Sequence, residues 1–374
     1  MRKMMASNIQ ELDTPTLLVD YKKLTKNIGE MSSFAREQGI ALRPHIKTHK
    51  SIHIAKMQVE HGAVGITVAK VDEALVMASG GIKDILIAYP IASPQKIKRI
   101  VQLLQENINV KLAVDSVEQL KYLQKELEET PFTLEVWIKV NSGLNRCGVE
   151  PGKDAVKLAQ AILFLSKLKL GGIFTHAGHS YGATSYYKIE QIGAQEANAV
   201  IESANACEAA GIPISVRSVG STPTYRIAGK VKGITEIRPG NAAFFDSIQV
   251  GLGVAKEEDC ALTVLASVVS KYGEERIVFD TGSKALNLDK GAHGNSTVNG
   301  FGTVVGHEEI TIERLSEEHG VGTINGHTNL QMNDKVQIIP NHACTVANLF
   351  DEYVVHDDGK VINRWKVDAR GMNK

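Results

Sequence analysis

Basic side chains are concentrated in the segment RPHIKTHKS, residues 43–51. It contains Arg43, His45, Lys47, His49 and Lys50, between an apolar stretch and a helix-like one. If the segment ends a strand, alternation places Arg43, His45 and Lys47 on one face. Neighbouring cations lower the pKa of an amine, and a lysine with a lowered pKa can attack a carbonyl and form a Schiff base. The alternative is a solvated basic turn, and the segment alone does not decide between the two.

A second pair of reactive side chains occurs in PNHACTVANLFDEY, where His342 and Cys344 are two residues apart. On an extended strand both side chains would point the same way. Imidazole and thiolate together suit a borderline-soft ion such as zinc. Two ligands are too few for a structural site, so the pair indicates distant ligands or an open site that water or substrate completes. The alternative is a buried cysteine beside an ordinary histidine.

Two glycine-containing stretches could bind a phosphate group. GSTPT (220–224) offers hydroxyls and exposed backbone N–H groups, and RPGN (238–241) could add amides from the adjacent strand. Each stretch is also typical of an ordinary turn. His176 and Arg146 follow two other strand-like runs and could act on a substrate or on a cofactor.

Eight strand-like runs, each followed by a turn or a helical stretch, position these residues. They are centred near residues 42, 66, 86, 112, 137, 173, 216 and 236. Strands that alternate with helices at this spacing indicate parallel βα units, and eight of them predict a (β/α)8 barrel over residues 25–250. A doubly wound open sheet is the alternative. Lys47, His176 and both glycine-containing stretches would follow the strands, at the edge where barrels bind their ligands.

Beyond residue 250 the runs are strand-like, are separated by Gly, Asp and Asn, and include little helix. The segment DDG between YVVH and KVINRW predicts a hairpin. We therefore expect a second, β-rich domain formed by residues 251–374 together with residues 1–24, which would contain His342 and Cys344.

Composition excludes several classes of partner. The 374 residues include 42 Lys+Arg and 42 Asp+Glu, a balance that argues against nucleic acid or an anionic membrane as the main partner. No apolar run reaches the length that a membrane-spanning helix or a signal peptide needs. The four cysteines lack CxxC spacing and indicate reduced thiols. We expect a cytoplasmic protein.

Taken together, the motifs resemble those of the fold-type III pyridoxal-phosphate enzymes of the D-threonine aldolase and D-serine dehydratase family, whose barrel is related to that of alanine racemase. DTPTLLVD, RPHIKTHK, NRCGV, VGSTPT, EIRPGN, DTGSKAL, SEEHG and PNHACTVANLFDEY occur in that family's order. The resemblance covers nearly the whole chain.

The resemblance implies pyridoxal 5'-phosphate as cofactor, with Lys47 as the Schiff-base lysine. It implies a divalent metal, with zinc favoured and manganese or magnesium as alternatives, and a head-to-tail homodimer. The cofactor-binding residues that it implies are Lys47, Arg146, Tyr181, Gly220, Ser221, Thr222, Gly240 and Asn241. The implied metal ligands are His342 and Cys344.

The expected reaction is the dehydration of a D-amino acid with a β-hydroxyl, such as D-serine, to a 2-oxo acid and ammonia. Lys47 would remove the Cα proton, and the His-x-Cys pattern at 342–344 favours the dehydratases over the aldolases, in which His-x-Asp is typical. The first alternative is retro-aldol cleavage to glycine and an aldehyde, with His176 as base. A D-amino acid racemase and a non-catalytic cofactor-binding barrel are the others.

Overall fold

The computed structural model describes residues 7–291 and 295–374. Its first strand, β1 (Thr16–Asp20), leads into α1 (Tyr21–Glu37), whose first turn the Asp20 side chain caps by accepting from the N–H of Lys23. This helix packs Leu24, Ile28 and Met31 into the core, one residue for each turn of the helix.

The barrel predicted from the sequence is confirmed. Over the described residues, eight parallel strands form one sheet in the order β2-β9-β8-β7-β6-β5-β4-β3. Backbone hydrogen bonds from Val64 N to Leu42 O (2.9 Å) and from Thr67 N to Pro44 O (2.8 Å) join the two edge strands and close the barrel. The strands are β2 (Ala41–Leu42), β3 (Ile66–Val68), β4 (Asp84–Ile87), β5 (Asn109–Val114), β6 (Leu134–Lys139), β7 (Leu168–Phe174), β8 (Val216–Val219) and β9 (Glu236–Ile237).

Helices surround the barrel and cover its apolar outer surface, because most inward-facing residues of each helix are aliphatic. Their bounds are α2 (Ile52–Glu60), α3 (Val71–Ser79), α4 (Pro94–Gln105), α5 (Val117–Leu127), α6 (Lys153–Leu163), α7 (Tyr186–Ala209), α8 (Tyr225–Ala228) and α9 (Ser247–Gly251). Inside the barrel, Leu86, Ala113, Trp137 and Phe174 form a separate buried cluster beneath the mouth.

In the part of the chain that the structure describes, the second sheet is antiparallel except where β1 pairs in parallel with β16 (Glu352–Asp357). Over the described residues its order is β11-β14-β13-β12-β15-β10-β1-β16-β17, and a further pairing of β10 with β11 closes part of it. Its strands after β1 are β10 (Leu262–Tyr272), β11 (Arg276–Phe279), β12 (Thr303–Val304), β13 (Ile310–Leu315), β14 (Gly320–Ile324), β15 (Lys335–Ile339), β16 (Glu352–Asp357) and β17 (Lys360–Lys366). Two short helices, α10 (Ser283–Leu286) and α11 (Ala343–Ala347), interrupt the strands.

The expected β-rich C-terminal unit and the DDG hairpin are thus present, the hairpin as β16 and β17. Strand β1 pairs with β10 and β16 in this sheet. The exact domain boundaries at residues 24/25 and 250/251 stay a prediction. None of the described helices is long and apolar enough to cross a membrane.

Candidate active site

A cavity of about 210 Å³ opens at the carboxyl end of the barrel strands and contains most of the predicted site residues. Its lining residues include two arginines and one lysine but, in the described part of the chain, no carboxylate. They are His45, Lys47, Thr48, Arg146, His176, Gly178, Tyr181, Ser221, Thr222, Arg238, Gly240, Asn241, His342 and Cys344. Such a surface attracts an anionic ligand.

Lys47 enters this cavity from a short 3-10 helix, Ile46–Thr48, which starts soon after β2 ends. The Nδ1 atom of His45 accepts a hydrogen bond from the N–H of Lys47 at 3.3 Å and caps the turn. Burial lowers the pKa of Lys47, and the nearby cations Arg146 and Arg238 lower it further. The amine is therefore closer to its neutral, nucleophilic form than an exposed lysine would be.

The sequence-based explanation for this lowered pKa was wrong in its details. The strand ends at Leu42, so alternation does not place Arg43 beside Lys47. Arg43 instead forms ion pairs with Asp84 and Glu236. His49 is buried away from the cavity, where its Nε2 lies 3.3 Å from Gln58 Oε1. Desolvation, together with Arg146 and Arg238 from other parts of the barrel, lowers the pKa of Lys47.

The two glycine-containing stretches meet on one wall of the cavity. Ser221, Thr222, Gly240 and Asn241 line it, whereas Gly220 is outside the lining and packs closely against Arg238. A Cβ atom on Gly240 would lie 2.8 Å from the carbonyl oxygen of His45, so only glycine leaves this wall in place. Small residues with hydroxyl and amide groups, facing a cavity without carboxylates, fit a phosphate group.

A buried carboxylate, Glu196 of α7, holds this wall from behind. Its Oε1 accepts hydrogen bonds from the N–H of Gly220 (2.9 Å) and the N–H of Ala177 (3.2 Å), and its Oε2 accepts from the Thr224 hydroxyl. The Thr224 hydroxyl in turn lies 2.8 Å from that of Ser221. Sequence reasoning missed Glu196, because nothing in the pattern of α7 distinguishes it from an exposed glutamate.

His176 lies at the cavity wall with a fixed ring orientation. Its Nδ1 is 2.6 Å from the carbonyl oxygen of Gly220, which makes Nδ1 the protonated nitrogen and leaves Nε2 with a free lone pair. Burial lowers the pKa of His176 well below its ordinary value, and the positive charge of Lys47 adds to this shift. The ring is therefore neutral, and Nε2 can accept a hydrogen bond from a ligand.

Arg238, the first residue of RPGN, is a second residue that the sequence did not single out. It is buried, its Nε donates to the Ser218 hydroxyl at 2.8 Å, and its guanidinium lies 4.8 Å from the centre of the Phe174 ring. Burial lowers the pKa of Arg238 to about 10, so the side chain remains a cation at neutral pH. It supplies fixed positive charge to the cavity.

His342 and Cys344 reach the same cavity from the β-rich unit, but not on a strand as expected. Strand β15 ends at Ile339, His342 is the N-cap of α11, and Cys344 lies in the first turn of that helix. The Cys344 Sγ is 3.1 Å from the Oγ1 of Thr48, the residue after Lys47. His342 and Cys344 nevertheless line the same cavity, so the pair is together despite the different local structure.

The donor set of this pair fits a divalent metal. Although burial opposes it, His342, Lys47 and Thr48 together lower the pKa of the Cys344 thiol, which favours the thiolate that a metal binds. His342 Nδ1 donates to Asp289 Oδ2 at 2.7 Å, an arrangement typical of metal-binding histidines because it fixes the orientation of the ring and assigns Nε2 to the metal. Residues 7–291 and 295–374 contain no cluster of three or more His, Cys, Asp or Glu suited to a metal.

A second cavity of about 530 Å³ adjoins the first and shares His45, Lys47 and Arg146 with it. Its other polar lining residues include Lys70, Lys139 and Asp115. Lys139 is 5% exposed and donates to the carbonyl oxygen of Ala88 at 3.2 Å. This space lies next to Lys47 and could accept the side chain of a substrate.

Comparison with known proteins gives consistent matches over the whole chain. The family described as alanine racemase, N-terminal domain, matches residues 19–248, and a serine dehydratase domain family matches residues 261–356. A D-threo-3-hydroxyaspartate dehydratase of Delftia sp. (strain HT23) is 33% identical over 96% of this chain and 98% of its own. A D-serine dehydratase of Dictyostelium discoideum is 32% identical over 96% and 97%.

Solved structures agree with these matches. D-threonine aldolase from Filomicrobium marinum superposes with a TM-score of 0.90 at 27% identity and covers 98% of both chains. A mutant of D-threo-3-hydroxyaspartate dehydratase, solved in the metal-free form, superposes with a TM-score of 0.90 at 31% identity over 96% of this chain and 99% of that one.

Proposed function

The chain belongs to the alanine racemase-like family of pyridoxal-phosphate-dependent lyases that includes D-serine dehydratases and D-threonine aldolases, and we propose that its own reaction is a dehydration. The substrate is a D-amino acid that has a hydroxyl group on Cβ. The products are a 2-oxo acid and ammonia.

One observation supports this proposal above the others: a lysine with a lowered pKa and a His–Cys pair line the same cavity. Thr48 follows Lys47 and contacts Cys344 at 3.1 Å, so the nucleophile and the metal pair lie on adjoining walls. A β-elimination needs a base at Cα and a group that helps the β-hydroxyl to leave. The cavity offers both within the span of one small substrate.

The residues around Lys47 fit the cofactor. The phosphate would be held by Ser221, Thr222, Asn241 and the backbone near Gly220 and Gly240, while Arg146, Arg238 and Tyr181 would surround the remainder. When bound, pyridoxal phosphate withdraws electrons from the substrate Cα and so makes its proton acidic. The positive charges that line the cavity favour this anionic cofactor.

Lys47 and the metal pair have separate roles in the proposal. The Nζ of Lys47 binds the cofactor at rest and accepts the Cα proton during the reaction, which its lowered pKa permits. His342 and Cys344 bind a divalent cation, zinc by the softness of the thiolate, with manganese or magnesium as alternatives. That cation supplies a Lewis acid for the β-hydroxyl. Asp289 fixes the ring of His342.

A second candidate, retro-aldol cleavage, is favoured by the state of His176. Its Nδ1–H donates to the carbonyl oxygen of Gly220, and its lowered pKa keeps the ring neutral, so that Nε2 can accept a hydrogen bond from the β-hydroxyl. If His176 removes the proton of the β-hydroxyl, the Cα–Cβ bond breaks and glycine and an aldehyde form. The same residues then support an aldolase.

A panel of D-serine, D-threonine and both diastereomers of D-3-hydroxyaspartate, with and without a metal chelator, separates these reactions. Dehydration predicts pyruvate from D-serine or oxaloacetate from a 3-hydroxyaspartate, and loss of this product with chelator. Glycine together with acetaldehyde or glyoxylate would contradict dehydration and support the aldolase. Racemisation that survives the chelator would contradict both.

We also propose that the protein is a homodimer, because the resemblance implies a head-to-tail pair that closes the site. The molar mass measured by light scattering checks this: a mass near twice the 40.6 kDa of the chain is expected, and a mass equal to it contradicts the proposal. The cytoplasmic location stays a prediction.

A further inference from the structure

A fully buried carboxylate, Asp246, connects the wall that we assign to the phosphate with the His–Cys pair. Its Oδ2 accepts a hydrogen bond from the side-chain amide of Asn241 and another from the backbone N–H of Ala343, at 2.9 Å. Asn241 belongs to the phosphate wall, and Ala343 is the residue between His342 and Cys344. One oxygen atom thus holds both groups.

The other oxygen of Asp246 fixes its position. Oδ1 accepts from the N–H of Gln249 at 3.1 Å and caps α9. The first residues of α9 also bond to the end of the β-rich segment before His342, from Ser247 N to Pro340 O (3.1 Å) and from Ile248 N to Asn341 O (3.2 Å). The barrel and the β-rich unit are therefore joined by a hydrogen-bonded connection with Asp246 at its centre.

The arrangement leaves little freedom for independent movement. A buried carboxylate is costly unless hydrogen bonds satisfy it, and three donors from three different segments do so here. If the backbone at Ala343 moves, Asp246 loses a donor unless it follows. If Asp246 moves, the amide of Asn241 must follow in turn.

We propose that Asp246 is a positioning residue that couples cofactor binding to metal binding, so that each ligand tightens the binding of the other. A metal on His342 and Cys344 fixes the peptide of Ala343, which fixes Asp246 and then Asn241. The segments that the first ligand orders are already ordered when the second ligand binds, so the second ligand binds at a smaller entropic cost. The inference rests on the proposed function for the identity of the two ligands, pyridoxal phosphate and a divalent metal.

Binding measurements on the full-length apoprotein test this without any assay of turnover. Pyridoxal phosphate is titrated by the absorbance of the bound cofactor, with and without Zn²⁺. Zn²⁺ is titrated against a chromophoric chelator, with and without pyridoxal phosphate. For the wild-type protein we expect each ligand to increase the affinity for the other about fivefold or more, and by the same factor in both directions, because binding linkage is reciprocal.

Two substitutions break the connection at different points. Asp246→Asn keeps an oxygen for Gln249 but presents an NH2 group to the N–H of Ala343, which then has no acceptor. Asn241→Ala removes only the contact at the phosphate wall and keeps Asp246, so it serves if the first variant does not fold. In both variants, the coupling factor, which is the factor by which one ligand increases the affinity for the other, should fall below about two. This holds whether or not the affinity for each ligand alone also changes.

Glu196→Gln is the matched control. Glu196 is an equally buried carboxylate that holds the phosphate wall through Gly220, and its observed hydrogen bonds go to the barrel alone. This variant should bind pyridoxal phosphate more weakly but keep the wild-type coupling factor. A wild-type factor near one, or an unchanged factor in Asp246→Asn, would overturn the coupling. Failure of the protein to bind either ligand would instead overturn the proposed function.

Discussion

Replacing Asp289 by asparagine is expected to weaken divalent metal binding at His342 and Cys344 by about 10- to 100-fold. Asp289 Oδ2 accepts the Nδ1–H of His342 at 2.7 Å, and the two side chains are 22% and 16% exposed, so the bond is largely shielded from water. The carboxylate fixes the ring and increases the basicity of Nε2. Asparagine keeps an acceptor of the same shape but removes the charge. The expected loss corresponds to about 1.4–2.7 kcal/mol of binding free energy.

The assay is competition for Zn²⁺ between the cofactor-free protein and a chromophoric chelator. The chain offers a matched control in Glu309→Gln, because Glu309 Oε1 and His307 Nδ1 form a similar carboxylate–imidazole pair at 3.0 Å. That pair lies in the β-rich unit but does not line the 210 Å³ cavity. Loss of the Glu309 charge in Glu309→Gln should therefore leave the affinity for Zn²⁺ unchanged.

Two results would contradict the reasoning in different ways. An Asp289→Asn protein with wild-type affinity, alongside a His342→Ala protein that loses Zn²⁺, would show that the carboxylate does not tune the histidine. An unchanged affinity in His342→Ala would place the metal elsewhere, and the proposed Lewis acid would then be lost with it.

Three further predictions concern the same cavity. Gly240→Ala places a Cβ 2.8 Å from the carbonyl oxygen of His45 and should lower the free energy of unfolding by about 1–3 kcal/mol. Gly29→Ala, whose Cβ would have no atom within 4 Å, should raise the free energy of unfolding by about 1 kcal/mol. Urea unfolding measures both variants, and equal effects would contradict the close contact at Gly240. Burial lowers the pKa of Lys47 in the folded state, so the destabilisation caused by burying its charge is full below that pKa and disappears as the pH rises toward 10.5. The apo Lys47→Met protein should therefore have a higher melting temperature than the wild-type apoprotein at neutral pH, and this difference should narrow as the pH rises. A difference in melting temperature that does not change with pH would contradict the pKa shift. Cys344→Asp replaces a soft ligand by a hard one, so metal analysis after dialysis should show a shift from zinc toward manganese, and unchanged zinc preference would count against Cys344 as a ligand.

The barrel could be predicted from the sequence because its signal is local and repeated. Each strand of the barrel is a short apolar run followed by a turn or a helix, and the eight expected positions coincide with the eight observed strands. In the β-rich unit, the sequence signal for β14 is weak, since Gly320 and Gly322 interrupt its apolar pattern. The strand expected through His342 and Cys344 ends at Ile339, where Pro340 removes a backbone donor.

The site could be predicted only where a residue type is itself chemically distinctive. Lys47, His342 and Cys344 belong to this group, since an amine, an imidazole and a thiol each suggest a chemistry by residue type alone. Glu196 and Asp246 do not. Each looks like an ordinary solvated acid in the sequence, and only the three-dimensional structure brings their hydrogen-bond donors, which come from segments up to 97 residues away, to the same carboxylate.

The position of the His–Cys pair explains how one barrel can serve different reactions. Lys47, Arg238 and the phosphate wall all come from the barrel, so in the proposed reaction the groups that acidify Cα belong to that domain. What happens next at Cβ depends on whether the hydroxyl meets a Lewis acid or a base. The acid would be supplied by His342 and Cys344 of the β-rich unit, and the base by His176 of the barrel. Since Thr48 brings Cys344 within 3.1 Å of the segment that bears Lys47, a change of one ligand in the β-rich unit can alter the fate of the hydroxyl while the cofactor stays in place.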